Sequence, residues 1–207
     1  MSKPVWSGKR PENDNDAENR ICMAAFDCFN RLGLERTTMS DIARTAGITR
    51  PTLYKYFKNK PDVVFTAVDK EAYRFAESVV AHAKQFSTLE ERIIETIVYV
   101  VAEFPKAPNL SLVLQDGMGE TLRARAFSDE ATLVFSQMTA EPLIEIRPDL
   151  EEHGVEITEI MSRFAISMIL FPGQYSTDLD GLRQLIVKQQ RCILYLRLVI
   201  IRSYRFY

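Results

Sequence analysis

Apolar and polar positions recur along this chain with the period of an α-helix almost from end to end. Ile21, Ala25, Cys28, Phe29 and Leu32 are spaced by threes and fours, which places them on one helical face. Val64, Val68, Ala72, Phe75 and Val79 form a second stripe in a longer helix expected over about residues 60–85. Further helices are expected at 88–104, 110–117, 128–146, 154–171 and 179 to about 203, punctuated by Pro105, Pro108, Pro148 and Pro172-Gly173. Pro142 should kink or shorten the helix that contains it. No stretch alternates convincingly with period two. The expected class is all-α, with an N-terminal three-helix unit at 14–60 and a larger helical bundle at 61–207. Residues 1–13, with Pro4, Gly8, Pro11 and several charges, read as a disordered arm.

The punctuation is densest between Gly33 and Asp62. Gly33 sits where a helix C-cap belongs. Thr38 and Asp41 stand three apart at the start of a new apolar run, the spacing of a capping box. Gly47 ends that helix after about two turns. Thr49 can cap the next, with Pro51 in its first turn, and Asn59 the one after, with Pro61 and Asp62 behind it. Two short helices joined by Ala46-Gly47-Ile48-Thr49 predict a helix-turn-helix. Met39, Ile42, Ala43 and Ala46 form the inner face of its first helix; Ile48, Leu53 and Phe57 form that of its second. Arg50, Pro51, Thr52, Tyr54, Lys55 and Tyr56 remain for the outer face. Hydroxyls, aromatics and cations on one short helix suit a polyanion with base edges beside it.

Composition alone points elsewhere. The 207 residues carry 26 Lys+Arg against 28 Asp+Glu, a net charge of −2, which argues against a nucleic-acid partner. The distribution reverses that. Residues 31–60 hold seven cations and two anions, so the first sixty residues carry +4 and the remainder −6. A basic head on an acidic body is the footprint of a nucleic-acid binder. At 46% apolar with only 8 Gly, the chain suits a globular protein and neither a collagen-like nor a disordered one. Three cysteines, at 22, 28 and 192, make no disulfide scaffold and suggest a reducing compartment. The N-terminus lacks the apolar core of a signal peptide. No apolar run approaches the roughly 20 residues of a membrane span, so a cytoplasmic location without a membrane partner is expected.

The residues that carry the helix-turn-helix also carry a resemblance. The Ala24-Ala25-x-x-x-Phe29 run, Gly33, Thr37-Thr38, Asp41-Ile42-Ala43, Ala46-Gly47-Ile48-Thr49 and Leu53-Tyr54-x-Tyr56-Phe57-x-Asn59-Lys60 resemble the DNA-binding domain of the TetR family of bacterial transcriptional regulators. The likeness spans about residues 18–66. It implies a homodimer that binds a palindromic double-stranded DNA operator through its heads, with bodies for dimerisation and a small-molecule effector. Pro51 departs from the small residue common in relatives, and 200–207 (IIRSYRFY) is basic and aromatic for a family C-terminus. Tyr54 and Lys60 match positions that grip the DNA backbone in the family. Thr38 and Thr49 are caps that can also meet phosphate. Tyr56 can reach phosphate or a base. Arg50, Pro51, Thr52 and Lys55 are the candidates for sequence readout, Arg50 for guanine because its fork matches O6 and N7.

In the body, Phe75, Tyr99, Phe104, Phe135, Met138, Met161, Phe164 and Met168 are either core or the lining of an apolar effector pocket; the resemblance favours a pocket. Its occupant would be hydrophobic or amphipathic. Leu182, Leu185, Ile186, Gln189, Ile193 and Leu196 run along the last helix at three-to-four spacing. With the 154–171 helix they look like the pair that forms a four-helix dimer interface in relatives; the alternative is the core of a monomer. His82 is expected to be a surface or capping residue. No metal site, cofactor motif or nucleophile elbow is visible. The expected function is a ligand-released DNA-binding regulator, a repressor rather than an enzyme. The alternatives are a helix-turn-helix interaction protein without an effector, or an all-α enzyme.

Overall fold

The computed structural model describes residues 11–107, 109–110 and 124–188. Ten α-helices are followed among them: α1 (Asp14–Leu32), α2 (Met39–Thr45), α3 (Arg50–Tyr56), α4 (Lys60–Ala83), α5 (Leu89–Glu103), α6 (Asp129–Thr139), α7 (Glu141–Ile146), α8 (Gly154–Leu170), α9 (Gln174–Thr177) and α10 (179–188). The fold is all-α. The arm before residue 11, nearly all of the 110–117 helix and everything after residue 188, including Gln189, Ile193, Leu196 and the basic C-terminus, lie outside the described residues.

Two compact units divide the chain, the first comprising residues 1–74 and 108–128, the second 75–107 and 129–207. The boundary thus falls inside α4, later than the residue 60 expected from the sequence. Polar ties account for the difference: Lys70 Nζ donates to Asn15 Oδ1 at 2.7 Å and pairs with Glu18 at 3.6 Å, which fastens the first half of α4 to α1.

Local chemistry sets the limits of the head helices. The Asn13 side chain accepts from the Asp16 amide, and Asp14 and Asp16 lie at the positive end of α1. Gly33 ends α1 at φ +81°, returning its N–H to Phe29 O at 2.8 Å. Thr37, almost fully buried, then closes the turn by donating to Gly33 O at 2.8 Å. The Thr38–Asp41 capping box forms as expected. Thr38's hydrogen bonds hold the Asp41 carboxyl below its usual range, with Arg44 adding to the effect. Ile21, Ala25, Cys28, Ile42 and Leu53 close the small core between these helices. Burying Leu53 completely contributes about 1.5–3 kcal/mol.

The body is built on α5, α6 and α8. The helix expected over 128–146 is two helices, breaking at Ala140 because Pro142 has no amide to donate and falls in the first turn of α7. Gly154 opens α8 beneath α7. A Cβ there would stand 2.8 Å from Ile144 Cγ1, so any other residue would have to displace the Ile144 side chain. Arg92, 7% exposed, donates to the carbonyls of Phe86 and Pro142 and pairs with Glu145 at 3.1 Å. Arg183 of α10 forks onto Glu95 of α5 at 2.7 and 2.9 Å. That hydrogen-bonded pair pulls the Glu95 carboxyl below its usual range against a smaller opposing effect of burial.

Candidate nucleic-acid interface and body cleft

The helix-turn-helix places α3 on the surface by fixing both of its ends. Gly47 adopts φ +66° in the turn, a conformation that side chains other than glycine's rarely tolerate. Thr49 then caps α3, accepting from the Thr52 amide at 3.3 Å. Phe57 leaves the helix in extended conformation and returns its side chain to the core. Leu53 and Phe57 point inward, and Arg50, Pro51, Tyr54 and Lys55 are exposed. The Arg50 guanidinium lies over the Tyr54 ring, 6.0 Å from its centre. This contact orders a cation and a phenol together on one exposed surface.

Two expected contacts change character. Thr52 is not on the outer face: it is 4% exposed and its hydroxyl meets that of Thr49 at 2.9 Å. The heptapeptide α3 packs down through its first turn, so the position three after the cap turns toward the core. Thr52 therefore supports α3 rather than reaching a base edge. Lys60 donates to the carbonyls of Leu34 and Glu35 at 3.0 and 3.1 Å, tying α4 to the α1–α2 turn. An ammonium has three hydrogens, so one remains for a phosphate. Thr38 and Thr49 are exposed and Tyr56 is half-buried.

In the body, the eight large side chains expected to line a pocket separate into groups. Phe75 gathers Tyr99, Phe104 and Phe135 into one aromatic cluster, with ring centres 6.2, 5.6 and 6.4 Å away. His82 is half-buried in the last turn of α4. It stacks on Tyr99 at 4.3 Å and meets the edge of Phe86. Burial lowers its pKa, more than the opposing carboxylates of Glu95 and Glu103 raise it. Met138, Phe164 and Met168 are half-buried.

A small cleft of about 10 Å³, partly open to solvent, lies between α5, α6 and α8. Its enclosed part holds about one water. Phe135 and Met161 line it, joined by Ile97, Val100 and Ala165. The rest of its wall is hydroxyl-bearing: Thr96, Thr139, Thr158 and Ser162. Sequence reading missed these four. The available signal was serine and threonine within apolar helical faces, as at Thr158 and Ser162, one turn apart.

The interface expected on the last helix is also altered. Leu182 and Ile186 are buried inside this single chain and Leu185 is half-buried, so the first two have no surface to give a partner. Exposed apolar groups lie instead on α6 at Leu133 and Val134, on α8 at Ile160, and at Phe171 just after it. Among the described residues no cluster of three or more potential metal ligands occurs, and no helix is long and apolar enough to cross a membrane.

Residues 21–67 match the sequence model of bacterial regulatory proteins, tetR family. The chain is similar to the fatty acid metabolism regulator protein of Bacillus subtilis, 28% identical over 96 residues that cover 46% of this chain and 50% of that protein. This chain thus spans about half of that relative's length. Its fold is like that of AlkX, a TetR family repressor from Dietzia implicated in n-alkane biodegradation (TM-score 0.63, 18% identity, 87% of this chain and 98% of the other). It is also like that of the regulator FadR from Bacillus subtilis in complex with stearoyl-CoA (TM-score 0.52, 19% identity, 81% and 96%).

Proposed function

From the premise that its head belongs to the tetR family of bacterial regulatory proteins, we propose that this chain is a DNA-binding transcriptional regulator acting as a ligand-released repressor. The observation that carries the reading is α3. It is a two-turn helix fixed by caps at both ends, with Leu53 and Thr52 buried and Arg50, Pro51, Tyr54 and Lys55 exposed. An exposed, rigid and basic helix of this size fits the major groove. Arg50 and Lys55 read bases; Tyr54, Lys60 and the exposed caps Thr38 and Thr49 hold phosphates.

Two copies would read the two halves of a palindromic operator. The exposed Ile160 and Phe171 supply part of an apolar face on which the copies meet. The effector is a hydrophobic or amphipathic molecule bound in the body, a reading in line with the aromatic cluster of Phe75, Tyr99, Phe104 and Phe135. Helix α4, which contributes residues to both units, carries the change from body to head. By linkage, an effector that lowers DNA affinity binds the free protein more tightly by the same factor.

The test is salt titration of DNA binding. Phosphate neutralisation requires a steep fall of affinity with salt. A flat response, or no binding to any genomic fragment, would instead establish a helix-turn-helix interaction protein.

A further inference from the structure

Three cations of the head are held in three different ways. Arg44 is neutralised: its Nη2 lies 2.5 Å from Asp41 Oδ1, and the other oxygen of that carboxylate accepts from the Thr38 hydroxyl at 2.6 Å. Lys60 gives two of its hydrogens to the carbonyls of Leu34 and Glu35. Arg50 is held by neither means. No acid lies on α3, and among the described residues no carboxylate pairs with Arg50. Its partner is the face of the Tyr54 ring, whose centre is 6.0 Å from the guanidinium carbon.

An aromatic face and a carboxylate do different things to a guanidinium. A carboxylate takes the N–H edge and cancels the charge. A ring takes the flat face of the group and leaves both the charge and the five N–H donors available. Only the second arrangement keeps a two-pronged donor ready for O6 and N7 of a guanine. The helix supplies the geometry. Residues four apart lie one above the other, and side chains lean toward the N-terminus, so Tyr54 leans over the turn that carries Arg50. The backbone of Arg50 is fixed by the Thr49 cap before it and Pro51 after it. What remains to be ordered is the long side chain, and the ring restricts it before DNA arrives.

We propose that Tyr54 is a positioning residue for base readout: its ring presets the Arg50 guanidinium, while its hydroxyl grips the DNA backbone. This role rests on the reading of the chain as a DNA-binding regulator. It gives sequence preference, as well as affinity, to a side chain otherwise assigned to phosphate alone.

Tyr54→Phe and Tyr54→Leu in the full chain separate the two parts of the side chain, since both lose the hydroxyl and only the second loses the ring. Tyr54 is 45% exposed, so both variants fold, which equal melting temperatures check. The DNA is a duplex selected from random sequence by the parent chain, with its single-base-pair variants. Tyr54→Phe weakens binding to all of them evenly. Tyr54→Leu also lowers discrimination at the base pair whose preference Arg50→Ala relaxes, by about two- to fivefold, the scale of an exposed cation–π contact. In an Arg50→Ala background the two variants are equivalent, a non-additivity that a merely structural ring does not produce. In the free chain, the ring current moves the Arg50 Cδ protons upfield in nuclear magnetic resonance spectra, and Tyr54→Leu abolishes that shift whereas Tyr54→Phe keeps it. Equal discrimination by the Phe and Leu variants, a ring effect that persists without Arg50, or Arg50 protons indifferent to the ring overturns the positioning role. So does an even loss for Arg50→Ala across the duplexes; in each case the selected duplex is still bound and the regulator stands. A parent chain that selects no duplex overturns the regulator reading, and the positioning role with it.

Discussion

The head uses its hydroxyl and amide side chains chiefly at helix ends, whereas the body, apart from the Thr88 capping box that starts α5, buries several in the middle of helices. Asn13, Thr38, Thr49 and Asn59 each accept from an amide in the first turn of a helix, and Thr37 closes the turn after α1. Each therefore fixes where a helix begins or how the chain turns, and a short, rigid reading helix is the result. In the body, Thr96, Ser136, Thr158 and Ser162 lie within α5, α6 and α8, buried against one another's helices. There they fix no boundary. They make an otherwise apolar interior polar at chosen points, and at Thr96 they leave one valence open. Side chains at helix ends define a shape, and the same side chains mid-helix define a chemical preference.

Substitutions can break this contrast. The largest effect is expected from Leu53→Ala. It empties the centre of the head core and should cost about 2–5 kcal/mol, read by denaturant unfolding, with DNA binding lost alongside. A loss below about 1 kcal/mol would mean that the caps alone hold α3.

Arg92→Met comes next. It leaves the carbonyls of Phe86 and Pro142 without their donor and should destabilise the body by about 1.5–3 kcal/mol. Proteolysis or hydrogen exchange should show the loss within residues 75–107 and 129–188, with the head's protection retained.

Of comparable size but confined to DNA, Arg50→Ala should relax preference at one base pair by about 1–3 kcal/mol. Tyr54→Phe should weaken binding evenly across sequences. Lys60→Ala should do the same and also lower head stability, since Lys60 ties the α1–α2 turn. Operator variants assayed with all three proteins check this; an even loss for Arg50→Ala would remove it from base readout.

The smallest effect is on pH. Burial holds the His82 imidazole below its ordinary pKa. The unfolded chain therefore binds the proton first, and the stability this group contributes is complete above about pH 6.5 and lost as pH falls below it. Thermal unfolding between pH 7 and 5 should show a decline that His82→Phe reduces. Glu95, held low by Arg183, acts further down, below the ordinary carboxylate range.

Much of the head was legible in the sequence because its determinants are local. Gly33, Thr38, Asp41, Gly47, Thr49 and Asn59 act on amides and dihedrals a few residues away, and the expected caps and turn are all present. Thr52 was misplaced because helical periodicity drifts over only two turns. The break at Ala140 was half-legible, since Pro142 announces a disruption but not whether the chain bends or stops.

The sequence by itself determined the helices, the caps, the helix-turn-helix and the basic head on an acidic body, since each depends on neighbours along the chain or on counting. Only the tertiary structure decided that Leu182 and Ile186 are spent inside the chain, that His82 stacks on Tyr99, and that Thr96 is left unpaired beside a cleft. Those outcomes depend on which faces of distant helices meet. A helical stripe is apolar in the same way whether it faces a core, a ligand or a second copy.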